Sequence, residues 1–174
     1  MDENEISEAL KNKFGKKVLE IKVPKKNEKV AEDKLISEIM EIKVSKRRVF
    51  VTVPVEIYKE VIRYLVEQLG FSHVQTITGL DAGNFIEIMP HLGRGITVTV
   101  KTRIEKDRPV LTTITDIVPG ASVHEREVHD LLGVIFEGHP NLTRIIVPEE
   151  WPKNVYPLRK DYTPEQPKPI REVS

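Results

Sequence analysis

The sequence predicts an α+β fold: a mainly antiparallel sheet with helices on one face, plus an extended proline-rich C-terminal tail. Two observations predict it. Apolar residues recur every three or four positions at 5–14 and 55–69, Val123, Val128, Leu131 and Leu132 supply apolar contacts for a third helix, and alternating segments lie between the first two and the third. The resulting order (helix, strands, helix, strands, helix) suits helices laid on one sheet.

Ile6, Leu10 and Phe14 give the first helix its apolar stripe. Residues 18–23 read as a strand ended by Pro24, and 25–34 as a charged loop. Residues 39–44 and 49–53 alternate, and Lys46-Arg47-Arg48 between them suits an exposed turn. Pro54 can occupy the first turn of the second helix, whose stripe runs Val55, Tyr58, Ile62, Leu65, Leu69; Gly70 can close it. Strands are expected over 71–77, 84–89, 95–104 and 110–117, with Gly93-Arg94-Gly95 as a hairpin turn. Ser122 and Glu125 have capping-box spacing, so the third helix should start at Ser122 and end before Gly133. Pro140, Pro148, Pro152, Pro157, Pro164, Pro167 and Pro169 then crowd the chain. Each lacks an N–H and restricts its predecessor, so the tail should run extended. The division expected is a domain over 1–118, then a helix and tail over 119–174.

Composition narrows the function classes. Lys and Arg number 27, as do Asp and Glu, so no bulk positive charge favours nucleic acid. Lys46-Arg47-Arg48 is the best local candidate, but no aromatic platform accompanies it, and a solvated hairpin tip is the simpler reading. With no Cys, no thiolate can hold an iron–sulfur cluster and no disulfide can form. The acidic start is unlike a signal peptide, and no apolar run reaches the ~20 residues of a membrane helix. Abundant Lys and Glu, few Gln and absent Cys resemble a hyperthermophile composition.

Several chemistries can be weighed against spacing. His124, Glu125 and His129 invite comparison with the zinc motif H-E-x-x-H. Here the two His are five apart and point ~140° apart on a helix, which disfavours a metal-dependent enzyme. Glu125 and Glu127 project from different sides and cannot flank one substrate. No phosphate-binding glycine motif and no nucleophile elbow is present. On the third helix, Arg126 with Asp130 and Glu125 with His129 have i, i+4 spacing and can pair. These charges are either solvated or buried against another chain, and physical chemistry alone leaves both open.

The string Glu125-Arg126-Glu127, then Asp130, Gly133, Phe136, Gly138-His139-Pro140, Leu142 and Arg144-Ile145 resembles the signature of a respiratory complex I family, that of the "30 kDa subunit". Pro157-Leu158-Arg159-Lys160-Asp161-Tyr162 resembles its second block, and Gly79-Leu80-Asp81 fits the layout more weakly. Leu132, Asn141, Thr143 and Val155 depart from the usual pattern.

The resemblance implies a cofactor-free hydrophilic subunit that supports assembly in the peripheral arm of a membrane-bound oxidoreductase, on the cytoplasmic side. Iron–sulfur clusters and NiFe would belong to its partners, a large NiFe-hydrogenase-like subunit and a small iron–sulfur subunit. The helix becomes a docking helix, and the partner-binding residues it implies are Glu125, Arg126, Glu127, Asp130, Phe136, His139, Pro140, Arg144, Leu158, Arg159, Lys160, Asp161 and Tyr162. The short chain and its composition favour a membrane-bound hydrogenase or ferredoxin-linked complex over an NADH–quinone one.

Overall fold

A computed structural model describes residues 2–15, 41–45 and 47–164. The strand expected at 18–23 and the loop at 25–34 lie outside them.

Helix α1 (Glu3–Phe14) starts at a capping box formed by Asp2 and Glu5 and buries Ile6, Leu10 and Phe14. Strands β1 (Glu41–Ser45) and β2 (Arg48–Thr52) form the predicted hairpin. Glu3 accepts a hydrogen bond from the Arg47 N–H, so α1 holds the tip of that turn. Helix α2 (Val55–Glu67) follows Pro54, which is its N-cap. The helix ends two residues earlier than its apolar stripe suggests. Gly70, at φ +76°, lets the Phe71 N–H return to the Leu65 carbonyl.

Strands β3 (His73–Asp81), β4 (Phe85–Gly93) and β5 (Thr97–Glu105) complete the sheet. Their order is β1-β2-β5-β4-β3. All neighbours are antiparallel except β2 and β5, which run parallel. The sheet is therefore mixed but mainly antiparallel. One face supplies Val49, Val51, Ile77, Ile86, Ile88, Val98 and Val100 to the core, where all three helices pack. Burying side chains of this size contributes ~1.5–3 kcal/mol each.

Two expectations are corrected. Only β6 (Val110–Thr112) of the strand predicted at 110–117 forms, and it leaves the main sheet to pair in parallel with β7 (Ile135–Glu137). The chain then turns through Thr113 and Ile114, whose hydroxyl and N–H respectively face helix α3 (Ala121–Leu132). The core also crosses the boundary expected at residue 118. Ala121, Val128, Leu132, Val134 and Phe136 belong to the same buried cluster as Ile6 and Leu65. Val128 and Leu132 lie over Gly79 of β3; a Cβ there would meet Leu132 Cδ1 at 2.4 Å.

Candidate functional site

Helix α3 and the segment after β7 form one structure. The expected cap at Ser122 is absent: Gly120 is the N-cap, with no side-chain hydrogen bond. Ala121, Glu125, Val128 and Leu132 make one stripe, so packing turns Glu125 into the core rather than back to the helix start. Its carboxylate is fully buried and accepts hydrogen bonds from the Thr113 hydroxyl and, at 2.9 Å, the Ile114 N–H. Burial raises its pKa to about 7 against the opposing pull of those donors and of Lys59.

The i, i+4 pairs expected on α3 do not form. Asp130 Oδ2 instead accepts three successive main-chain N–H groups, from Ile145 (3.1 Å), Ile146 (2.8 Å) and Val147 (3.0 Å). Its other oxygen lies 3.7 Å from Arg144 Nε. Arg126 donates to the carbonyls of Thr143 and Arg144 and to the Thr143 hydroxyl. Arg144 donates to the carbonyls of Trp151 and Pro152. His129 contacts the Val134 carbonyl through Nδ1. The tail is thereby gripped through its main chain.

The grip continues past the helix. Gly133, at φ +75°, ends α3 in the left-handed conformation. The Tyr156 ring lies against it so closely that a Cβ would sit 2.4 Å from Cζ. Arg159 stacks on that ring and donates to the Leu132 carbonyl. The Leu158 N–H donates to the Leu131 carbonyl. The Lys160 N–H reaches Asp81 of β3, which also pairs with Lys106; Lys106 in turn reaches Asp161. Tyr162 packs near Trp151, with ring centroids 6.2 Å apart. From Pro140 to Pro164 the chain thus runs as a strap of turns folded back on α3, not as an extended arm. Residues 165–174 lie outside the described region.

The strap also presents apolar side chains outward. Ile146 is 53% exposed and Leu158 57%, with Ile145 beside them; Val123 on α3 and Ile135 on β7 are exposed as well. Of the residues assigned to partner binding, Phe136, Glu125 and Asp130 are buried in this chain, whereas Leu158 and Asp161 are exposed and Pro140 and Lys160 lie at the surface of the strap. Glu127 faces His124 at 3.9 Å near the surface.

The residues of the H-E-x-x-x-H string do not converge on one point. Among the described residues no three His, Asp or Glu side chains are grouped to hold an ion. His124, Glu125 and His129 each turn to separate partners. A second cluster was not legible in the spacing. His139, its side chain buried, has Nε2 3.1 Å from Ser122 Oγ and 4.0 Å from Glu125 Oε2. It resembles a Ser/His/acid triad but is wired differently. Serine and acid approach the same ring nitrogen, and Nδ1 accepts the Asn141 N–H, so the acid cannot orient the imidazole from its far side.

Residues 51–168 match the family described as "Respiratory-chain NADH dehydrogenase, 30 Kd subunit". This chain belongs to that family. It is 36% identical over 104 residues to the C subunit of NADH-quinone oxidoreductase from Chloroherpeton thalassium, covering 55% of this chain and 41% of the relative. It is 34% identical over 128 residues to NADH-quinone oxidoreductase subunit 5 of Thermus thermophilus, covering 65% of this chain and 60% of the relative. It is 30% identical over 125 residues to membrane-bound hydrogenase subunit beta of Pyrococcus furiosus, covering 68% and 72%. The chain thus spans about half the length of the first two relatives.

Two solved structures resemble this member of the 30 Kd family. One is a trypsin-resistant fragment (1–134) of Nqo5, with a TM-score of 0.53 and 29% identity over 59% of this chain and 89% of the fragment. The other belongs to the membrane-bound sulfane sulfur reductase, an archaeal respiratory membrane complex. There the TM-score is 0.58, with 29% identity over 78% of this chain and 86% of the other. The family match takes in every residue of α3 and the strap up to Tyr162. Among the described residues no helix is long and apolar enough to cross a membrane.

Proposed function

We propose that this chain is a non-catalytic peripheral subunit of a complex I-related membrane oxidoreductase, and that α3 and its strap dock it to the large subunit. The observation that carries this reading is the strap itself. Buried polar latches hold its main chain, while Ile146 and Leu158 face outward at more than half exposure. Exposed apolar side chains on an ordered segment suit a protein partner. The family match and the relatives' names supply the kind of complex.

In this reading the chain carries no cofactor, and iron–sulfur clusters and NiFe reside in the large and small partner subunits. It sits at the cytoplasmic face of the membrane through those partners and binds no nucleic acid. A membrane-bound hydrogenase type is favoured, because the match covers 72% of the hydrogenase beta subunit but 41% and 60% of the NADH-quinone subunits. The higher identity to the NADH-quinone subunits supports the second reading, the equivalent 30 kDa subunit of a quinone-reducing complex.

The test is co-purification of the native complex with Ile146→Asp and Leu158→Asp variants. Both should fold with unchanged melting temperature and lose association with the large subunit by at least tenfold. Retained association would reject docking through the strap. The activity of the purified complex, hydrogen evolution or quinone reduction, separates the two readings.

A further inference from the structure

All three helices cover one face of the main sheet. Among the described residues, no helix or strand covers the other face. Such a face normally alternates to polar side chains where it meets water. Here it carries Phe50, 39% exposed, and Leu80, 48% exposed. The strand register fixes what lies between them. Phe50 stands opposite Thr99, two residues before Lys101 on β5; Arg103 stands opposite Glu87, which stands opposite Leu80. Three strand spacings across and four residues along separate Phe50 from Leu80 by ~20 Å.

The ground between them is cationic. Glu87 is buried beneath two cations, accepting from Lys101 Nζ at 3.2 Å and Arg103 Nε at 2.8 Å. Its single charge is shared, so the pair retains a positive excess at the surface. Arg103 also lies over the Phe85 ring, 4.4 Å from its centroid, which fixes the guanidinium in place. Arg48, exposed on the same face, has no ion-pair partner among the described residues. Burial, and then the field of Arg48, lowers the pKa of nearby His91. Glu105 at the end of β5 is the remaining carboxylate of that strand's outward row, and it is exposed.

We propose that this open sheet face is a second interface, occupied by an acidic segment of another protein subunit. Its carboxylates would lie over Lys101 and Arg103, and its apolar side chains over Phe50 and Leu80. Charge complementarity selects such a partner over a basic or nucleic-acid surface. The face lies across the sheet from α3, which packs on the opposite side over Gly79 of β3. The inference rests on the proposed role as a subunit, and the test separates the two.

The photoreactive amino acid p-benzoylphenylalanine is placed at position 50 or 80 of the full chain, and the native complex is purified and irradiated. Both positions should cross-link to one other polypeptide, within an Asp- and Glu-rich segment. Phe50→Asp and Leu80→Asp should weaken retention of that polypeptide at least tenfold while leaving the chain's melting temperature unchanged. Cross-links to residues 16–40 of this chain, to a second copy or to lipid, or none at all, would overturn the inference. If Leu158→Asp breaks assembly while the position 50 and 80 variants retain every subunit, only this second interface fails. If the chain enters no complex, both readings fail.

Discussion

The Lys160 main-chain N–H donates to Asp81 Oδ2 at 2.9 Å, joining positions 79 residues apart in the chain. Asp81 also accepts from the Gly83 N–H at 2.8 Å and pairs with Lys106. Burial opposes its ionisation, but these donors outweigh burial and hold its pKa at about 2. A depressed carboxyl pKa adds stability above the unfolded value near 4, and that stability is lost as pH falls toward 2. The shift corresponds to about 2 kcal/mol. Asp81→Asn should therefore lower stability at pH 7 by about that amount and flatten its fall between pH 4 and 2. Urea unfolding followed across that range measures both.

Asp130→Ala removes the acceptor for three consecutive N–H groups. Breaking a buried charge-assisted cluster of this kind costs ~3 kcal/mol. Proteolysis should then cut between residues 143 and 152 faster than it does in the parent chain. Arg126→Ala, whose hydrogen bonds lie nearer the surface, should cost only ~1 kcal/mol.

Gly133→Ala meets two obstacles, the positive φ and the Tyr156 ring. The left-handed conformation alone costs ~1 kcal/mol for a residue with a Cβ, and the ring contact adds to it. The double variant with Tyr156→Ala should recover the second part only. A double-mutant cycle on melting temperature will show coupling if the ring is the obstacle and simple additivity if it is not.

The same contacts show what could and could not be read from sequence. Helix α2 was legible because its apolar stripe lies between Pro54 and Gly70, and both act through local backbone geometry. The hairpin at Gly93, Arg94 and Gly95 was legible for the same reason. The strap was not. Its anchors are carboxylates accepting main-chain N–H groups, which every non-proline residue carries, so no side-chain pattern marks the recipient. Ser122 and Glu125 had the spacing of a cap, but local spacing lost to packing. Glu125 falls in the stripe Ala121, Val128, Leu132, and that position was the available sign that the acid turns inward. The strand expected through Ile117 stops after the Thr113 N–H has met the Glu137 carbonyl, because the next N–H, that of Ile114, serves that acid instead of a ladder.

Glu125 should also impose a pH dependence of the opposite sense. Its folded pKa of about 7 exceeds the unfolded value near 4.5, so the folded state holds the extra proton between them. Stability is then greatest below pH 4.5 on account of this group and declines as pH rises through 7. The full effect is about 3 kcal/mol. Glu125→Gln resembles the protonated form and should abolish that decline; its advantage over the parent chain should grow from pH 5 to pH 8. Tyr58, Asp116, Lys59 and His139 are present in both chains, so thermal unfolding of the variant and the parent at the same pH values compares the one carboxyl against a shared background.

The latches on the strap hold N–H groups of Ile145, Ile146, Val147 and Leu158 and the carbonyl of Trp151 rather than their side chains; only at Thr143 do they take a hydroxyl as well as a carbonyl. Anchoring and recognition are therefore written in separate parts of the same residues. Ile145, Ile146 and Leu158 can be exchanged for other side chains without loosening the grip of α3. A scaffold of this design can be refitted to a different neighbour by a few outward substitutions, while the segment that bears them keeps its course.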